Sequence, residues 1–171
     1  MDKKDARMLF RLEMNALYKA LYSNNHEAVK HALYFRKMRF DQYPETKIEE
    51  ILLETQEGLA QYTGFKLGYN AQRLQERLQE NIKNMSKKSS LSRATAYTSG
   101  PLYGLLLDAS GKPWKNGTMR NFNAFELTLQ HFDIDPLSLS KLQYDEIKQH
   151  YNFDKIESEE IARWEKRQKK I

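Results

Sequence analysis

The sequence predicts an all-α protein, an irregular bundle of about seven helices. Three observations carry this. Valine, a leading strand former, occurs once in 171 residues. Seven glycines and four prolines leave long uninterrupted stretches, and Leu, Ala, Glu, Gln, Lys and Arg fill them. No Asn-Gly or Asp-Gly turn stands between alternating apolar runs.

The elements follow in order. Met8, Leu9, Leu12, Ala16, Leu17, Ala20 and Leu21 recur at helical spacing and predict a first helix from about Lys4 to Tyr22. Ser23-Asn24-Asn25 supplies a turn and an N-cap for a second, about His26 to Phe40, antiparallel to the first. Pro44 suits the first turn of a third helix, which carries E-T-Q-E-G-L-A-Q-Y-T-G and ends near Gly64 or Gly68. Asn70 caps a fourth, Ala71 to about Met85, with Leu74, Leu78 and Ile82 as its stripe. Ser90 is the expected cap of the fifth segment. Pro101 lies inside it and removes a backbone donor, so a kink or break near Gly100 is expected. A loop over 109–117 precedes a helix from about Phe122 to Phe132, one opened by Pro136, and a charged one from Ser158 to Lys170. We divide the chain into a helical domain, 1–135, and a helical C-terminal extension with a basic tail, 136–171.

Composition excludes several classes. With 40% hydrophobic and 30% charged residues the chain reads as globular, not disordered. Without cysteine there is neither a disulfide nor a thiolate zinc site. No apolar run approaches a membrane span, and M-D-K-K-D-A-R has no signal-peptide core, so no membrane association and, by default, the cytoplasm are expected. Of the formal charge of +5, residues 163–171 hold five basic and one acidic side chain, a net of +4. No nucleic-acid motif accompanies this tail, and a solvated helix end accounts for it.

The run H-E-A-V-K-H, His26 to His31, is one residue longer than the zinc signature H-E-x-x-H. An i, i+5 pair turns through about 500°, so the two imidazoles stand roughly 140° apart on a regular helix. Ala28, Val29, Ala32, Leu33, Phe35, Met38 and Phe40 spread over a broad apolar arc around them. The pair is therefore read as part of a packing helix, not as a metal site.

Two later motifs carry more chemistry. Q-E-G-L-A-Q-Y looks like the E-G-x-A element of gluzincin zinc metallopeptidases, whose glutamate is the third zinc ligand; Glu57 stands in that position. Forty residues on, A-Y-T-S-G-P-L-Y-G-L-L-L-D resembles the Y-x-x-G of aminopeptidases in the same group, with Tyr97 as the phenol that donates to the oxyanion. Together with D-A-R-M-L-F-R-L-E-M-N-A-L-Y-K-A-L and A-L-Y-F-R-K-M-R, these segments make roughly residues 5–130 resemble the C-terminal half of an uncharacterised bacterial gluzincin-like family. In that family the H-E-x-x-H helix lies upstream of the first segment, and A-L-x-F-R-x-x-R falls on the helix that contains His31. The resemblance thus implies a zinc hydrolase without two of its ligands and its general-base glutamate, catalytically inactive as an isolated chain. Zinc would enter only if another segment supplied histidines. Implied partners are such an H-E-x-x-H segment or a peptide substrate. An open apolar face, or a homodimer contact covering it, should mark the missing half.

The same residues have plainer readings. Glu57 can pair with a basic neighbour, and Glu54, one turn earlier on nearly the same face, could take the ligand role instead. Tyr97 can be a core tyrosine, and Gly100 and Gly104 can serve close helix approach. Arg36 falls near the apolar arc and needs a partner among Glu13, Glu50 and Glu54. Arg93, one turn before Tyr97, is expected in an ion pair, or at a substrate carboxylate. The alternative function is a non-enzymatic helical module that binds a protein or peptide beside the third helix.

Overall fold

The structure, a computed structural model, describes residues 2–116 and 120–169. Among these residues there is no strand, and the fold is all-α. Helix α1 (Lys4–Ser23) turns back into α2 (His26–Gln42) through Asn24, which takes the left-handed conformation at φ 44° that asparagine tolerates better than most residues. The Asn25 side chain accepts from the Ala28 amide and caps α2. Phe10, Leu12, Leu17, Leu33 and Phe35 are buried between the two helices and their neighbours.

The third predicted helix ends at Gly68, one of its two expected ends, but is less regular than its spacing suggests. It comprises α3 (Glu45–Leu53), a π-turn (Glu54–Gly58) and α4 (Leu59–Gly68). A π-turn carries i→i+5 bonds and adds one residue to the turn. At about 100° per residue, Leu67 would otherwise stand about 100° round from Ile48; the extra residue returns it to the same line. Ile48, Leu52, Ala60 and Leu67 thus share one solvent-facing stripe, opposite the buried Glu50, Glu54, Leu59, Tyr62 and Phe65.

Asn70 caps α5 (Ala71–Ser86) as its sequence indicates. Helix α6 (Ala94–Ala109) starts later than a Ser90 cap would allow, because the Ser90 hydroxyl serves the Ser92 amide within the loop. It also runs through Pro101 without the expected break. An α-helical amide bonds the carbonyl four residues back, so Pro101 leaves the Tyr97 carbonyl without a donor. The Asn81 side chain of α5 fills that position at 2.7 Å. The defect in α6 therefore becomes a cross-link between α5 and α6.

Beyond the loop that starts at Ser110, of which residues 117–119 lie outside the described residues, come α7 (Ala124–His131, capped by Asn123) and α8 (Pro136–Leu139, capped by Asp135). Then α9 (Tyr144–Ile147) leads through a 3-10 turn into α10 (Phe153–Gln168). The last two residues of the basic tail also lie outside the described residues. Segment 136–171 is joined to α1 by charge as well as by packing. Buried Glu160 accepts from Arg7 Nε at 2.8 Å and Arg11 Nη1 at 3.0 Å. No helix among the described residues is long and apolar enough to cross a membrane.

Candidate functional site

The site is organised by the crossing of α6 over the π-turn. The two backbones touch through glycines. A Cβ on Gly100 would overlap the Gly58 Cα and lie 2.6 Å from its carbonyl carbon and oxygen. One turn on, a Cβ on Gly104 would collide with the Tyr62 ring. Both glycines are required by close approach, the packing role their spacing suggests.

This crossing brings the three sequence-selected residues together. Arg93 Nη2 donates to Glu57 Oε1 at 3.1 Å. The Tyr97 phenol stands beside the same carboxylate, and its hydroxyl is the largest influence holding the Glu57 carboxyl below its usual range; Arg93 adds to it. Tyr97 is 39% exposed, so it is not a core tyrosine. What pins it is its own carbonyl, held by Asn81. Glu57 Oε2 is shielded from solvent, and no hydrogen bond reaches it in good geometry from the described residues. The cluster is thus a carboxylate flanked by a phenol and a guanidinium. If Tyr97 supports the ionised carboxylate, Tyr97→Phe should raise the Glu57 titration midpoint, read by carbon NMR of the side-chain carboxyl. An unchanged midpoint would show that the phenol is a bystander.

Glu54 does not share this position. Three residues in a π-turn no longer complete nearly a full turn, so Glu54 and Glu57 point apart. Glu54 is fully buried in an ion cluster with Glu13, Arg36, Arg39 and Glu50. Arg36 reaches all three candidate partners: Glu13 at 3.1 Å, Glu50 at 2.9 Å, and Glu54. Arg39 bridges Glu13 and Glu50, each at 2.8 Å. Tyr103 donates to Glu13 at 2.9 Å and Ser99 to Glu54 at 2.5 Å. Burial raises the Glu54 carboxyl above its usual range against the pull of Arg36, and Glu50 pushes it further. This direction fits three carboxyls facing two guanidiniums. The cluster clamps α1, α2, α3 and the π-turn; of the two glutamates, only Glu57 stands outside it.

The histidines of H-E-A-V-K-H go to separate partners. His26 Nε2 lies 3.1 Å from the Phe132 carbonyl, and His31 Nδ1 lies 2.7 Å from the Tyr151 hydroxyl. Among the described residues no three His, Cys, Asp or Glu side chains gather as a metal site. The residues at the crossing therefore fit one position of a zinc ligand set and not the set. Sequence reasoning missed Asn81; its signal was a proline four residues after Tyr97, which announces a carbonyl in need of a donor.

Beside this cluster runs the stripe on α3 and α4, with Ile48 72%, Leu52 55% and Leu67 81% exposed. No family model matches the chain, and comparison with curated proteins and with solved structures returns no significant match.

Proposed function

We propose that the α6–π-turn crossing is half of a gluzincin-like zinc peptidase centre, completed by a segment carrying H-E-x-x-H. The observation that carries this reading is the convergence on one cluster of Glu57 and Tyr97, motif positions forty residues apart, and of Arg93, one turn before Tyr97. In it the Glu57 carboxylate is the metal ligand this chain would contribute. The Tyr97 hydroxyl is a neutral donor placed for an anionic oxygen formed next to that carboxylate. Arg93, largely exposed, can leave Glu57 for the carboxylate of a bound peptide. Because the remaining ligands are absent from this cluster, we derive no hydrolytic step for the chain alone.

The stripe of Ile48, Leu52, Ala60 and Leu67 supports the same reading, since a completing segment would need an apolar face adjoining Glu57. It also favours the second reading, a docking module without chemistry, in which a partner helix covers the stripe and Glu57 stays an ion-paired surface residue.

Metal content separates the two. In the protein isolated from its native source under mild conditions, with any bound or adjoining segment retained, we expect about one zinc per chain. Glu57→Gln should lose it, and the isolated 171-residue chain should hold none. A zinc-free native assembly, or a Glu57→Gln form that keeps its zinc, overturns the peptidase reading and leaves the docking module.

A further inference from the structure

A cleft of about 870 Å³ lies between α1, α5 and the start of α10, lined by none of the residues discussed for the zinc reading. Its volume falls within the roughly 300–1,000 Å³ of small-molecule sites. The charges on its wall are Arg11, Lys19, Lys83, Lys87 and Lys155 against the single carboxylate of Glu159. Glu159 is already engaged by Arg11 at 2.5 Å, and Arg11 also bonds Glu160.

Four ammonium groups remain. None has a carboxylate within ion-pair distance among the described residues; the Lys19 ammonium lies 5.5 Å from the centre of the Tyr151 ring. Elsewhere Lys30, Lys37, Lys66, Lys112 and Lys148 each pair with an acid, while Lys47 and Lys141 stand unpaired among the described residues but line no cleft with other cations. Converging like charges repel, and a cleft lined by one sign concentrates the opposite one. A second observation points the same way. Tyr18 lines the same wall, and its hydroxyl is shielded from solvent and has no hydrogen-bond partner among the described residues. Buried polar atoms are rarely left so, and a phenol O–H is a donor for an anionic oxygen. The rings of Tyr18, His150 and Tyr151 and the side chains of Ile82 and Ile156 give the wall flat and apolar surface between the charges.

We propose that this cleft binds a small polyphosphate anion. Four ammoniums match several negative charges packed into a short chain of phosphates, which a single carboxylate ligand would not supply. The same chemistry comes from inorganic polyphosphate or from a nucleoside triphosphate, whose base would use the aromatic wall.

The test is calorimetric titration of the whole chain with ATP and, separately, with sodium tripolyphosphate. We expect saturable binding of at least one, one per chain, weakening as NaCl rises from about 50 to 300 mM. Lys83→Ala with Lys155→Ala, exposed residues on opposite walls, should weaken it at least tenfold, while Lys47→Ala with Lys141→Ala should not. ATP binding about tenfold tighter than tripolyphosphate assigns the nucleotide; equal affinities assign the phosphate chain alone. Glu57→Gln should leave either unchanged, which separates this site from the metal reading. No saturable binding of either probe up to about 1 mM overturns the proposal. So does an equal loss in both double variants, or binding of a single-stranded RNA oligonucleotide alone.

Discussion

Arg36→Met is expected to destabilise the fold by about 3–5 kcal/mol, the range for removing one partner from a buried ion cluster. Arg36 is 1% exposed and touches Glu13, Glu50 and Glu54 while its guanidinium lies 4.6 Å from the centre of the Tyr103 ring. Methionine fills much of the volume and supplies no charge. Three buried carboxyls would then face Arg39 alone. The contrast is Glu54→Gln, which keeps the shape, removes one of three negative charges and can still accept from Ser99. It should cost far less than Arg36→Met. Urea unfolding followed by circular dichroism measures both.

The pH dependence of this loss has a definite sign. In the native protein the Glu50 carboxyl is held below its usual range, burial being overcome by Arg39 and Arg36. That contribution to stability is present above the unfolded midpoint and is lost as pH falls through the folded one. Glu54 already runs the other way, its folded midpoint raised mainly by burial. Without Arg36 the Glu50 and Glu54 carboxyls would shift upward and take up protons on folding. A carboxyl raised in the folded state weakens stability as pH climbs through its window, and its penalty fades in acid. The deficit of Arg36→Met should therefore be largest near neutral pH and shrink toward about pH 4. A deficit independent of pH would mean that lost packing, not uncompensated charge, dominates.

The parts of this molecule that were legible in its sequence are those set by neighbours a few residues apart. Asn25 and Asn70 cap helices where their position says they should, because an N-cap bonds an amide three residues on. Arg36 could be assigned three carboxylate partners because its place on an apolar arc forced it inward. Glu57 and Tyr97 stand at motif positions and Arg93 one turn before Tyr97, and the fold brings the three to one point. What stayed hidden depends on how separate helices meet. The π-turn leaves no mark in E-T-Q-E-G, since the register shift is stabilised by Glu54 reaching a cluster built from α1, α2 and α3. The unbroken α6 required Asn81, an unremarkable residue on another helix, to sit opposite the Tyr97 carbonyl. The basic cleft depends on the seating of α10 against α1, by Glu160 on Arg7 and Arg11 and by the buried Phe153 and Ile156. Each of its lysines, read alone, belongs to an ordinary solvated helix face.

The tightest test of the site's geometry is Gly100→Ala. In an isolated helix alanine is more favourable than glycine by up to about 1 kcal/mol. At position 64, where a Cβ would meet nothing within 4 Å, that preference should show as a small gain or no change. At position 100 the added carbon would fall on the backbone of Gly58, and backbone in a π-turn anchored by Glu54 has no rotamer to yield. The substitution should therefore cost at or above the top of the ~1–3 kcal/mol typical of overpacking. Relief can come only from moving α6 away from the π-turn. That motion separates Tyr97 from Glu57, so the Glu57 carboxyl should lose its support and titrate higher, as in Tyr97→Phe. Thermal unfolding reads the first effect and carboxyl NMR the second, with Gly64→Ala as the control in both. Loss of stability with an unmoved Glu57 midpoint would mean that α6 yields elsewhere along its length. The glycine contact would then hold the bundle together without positioning the carboxylate and the phenol.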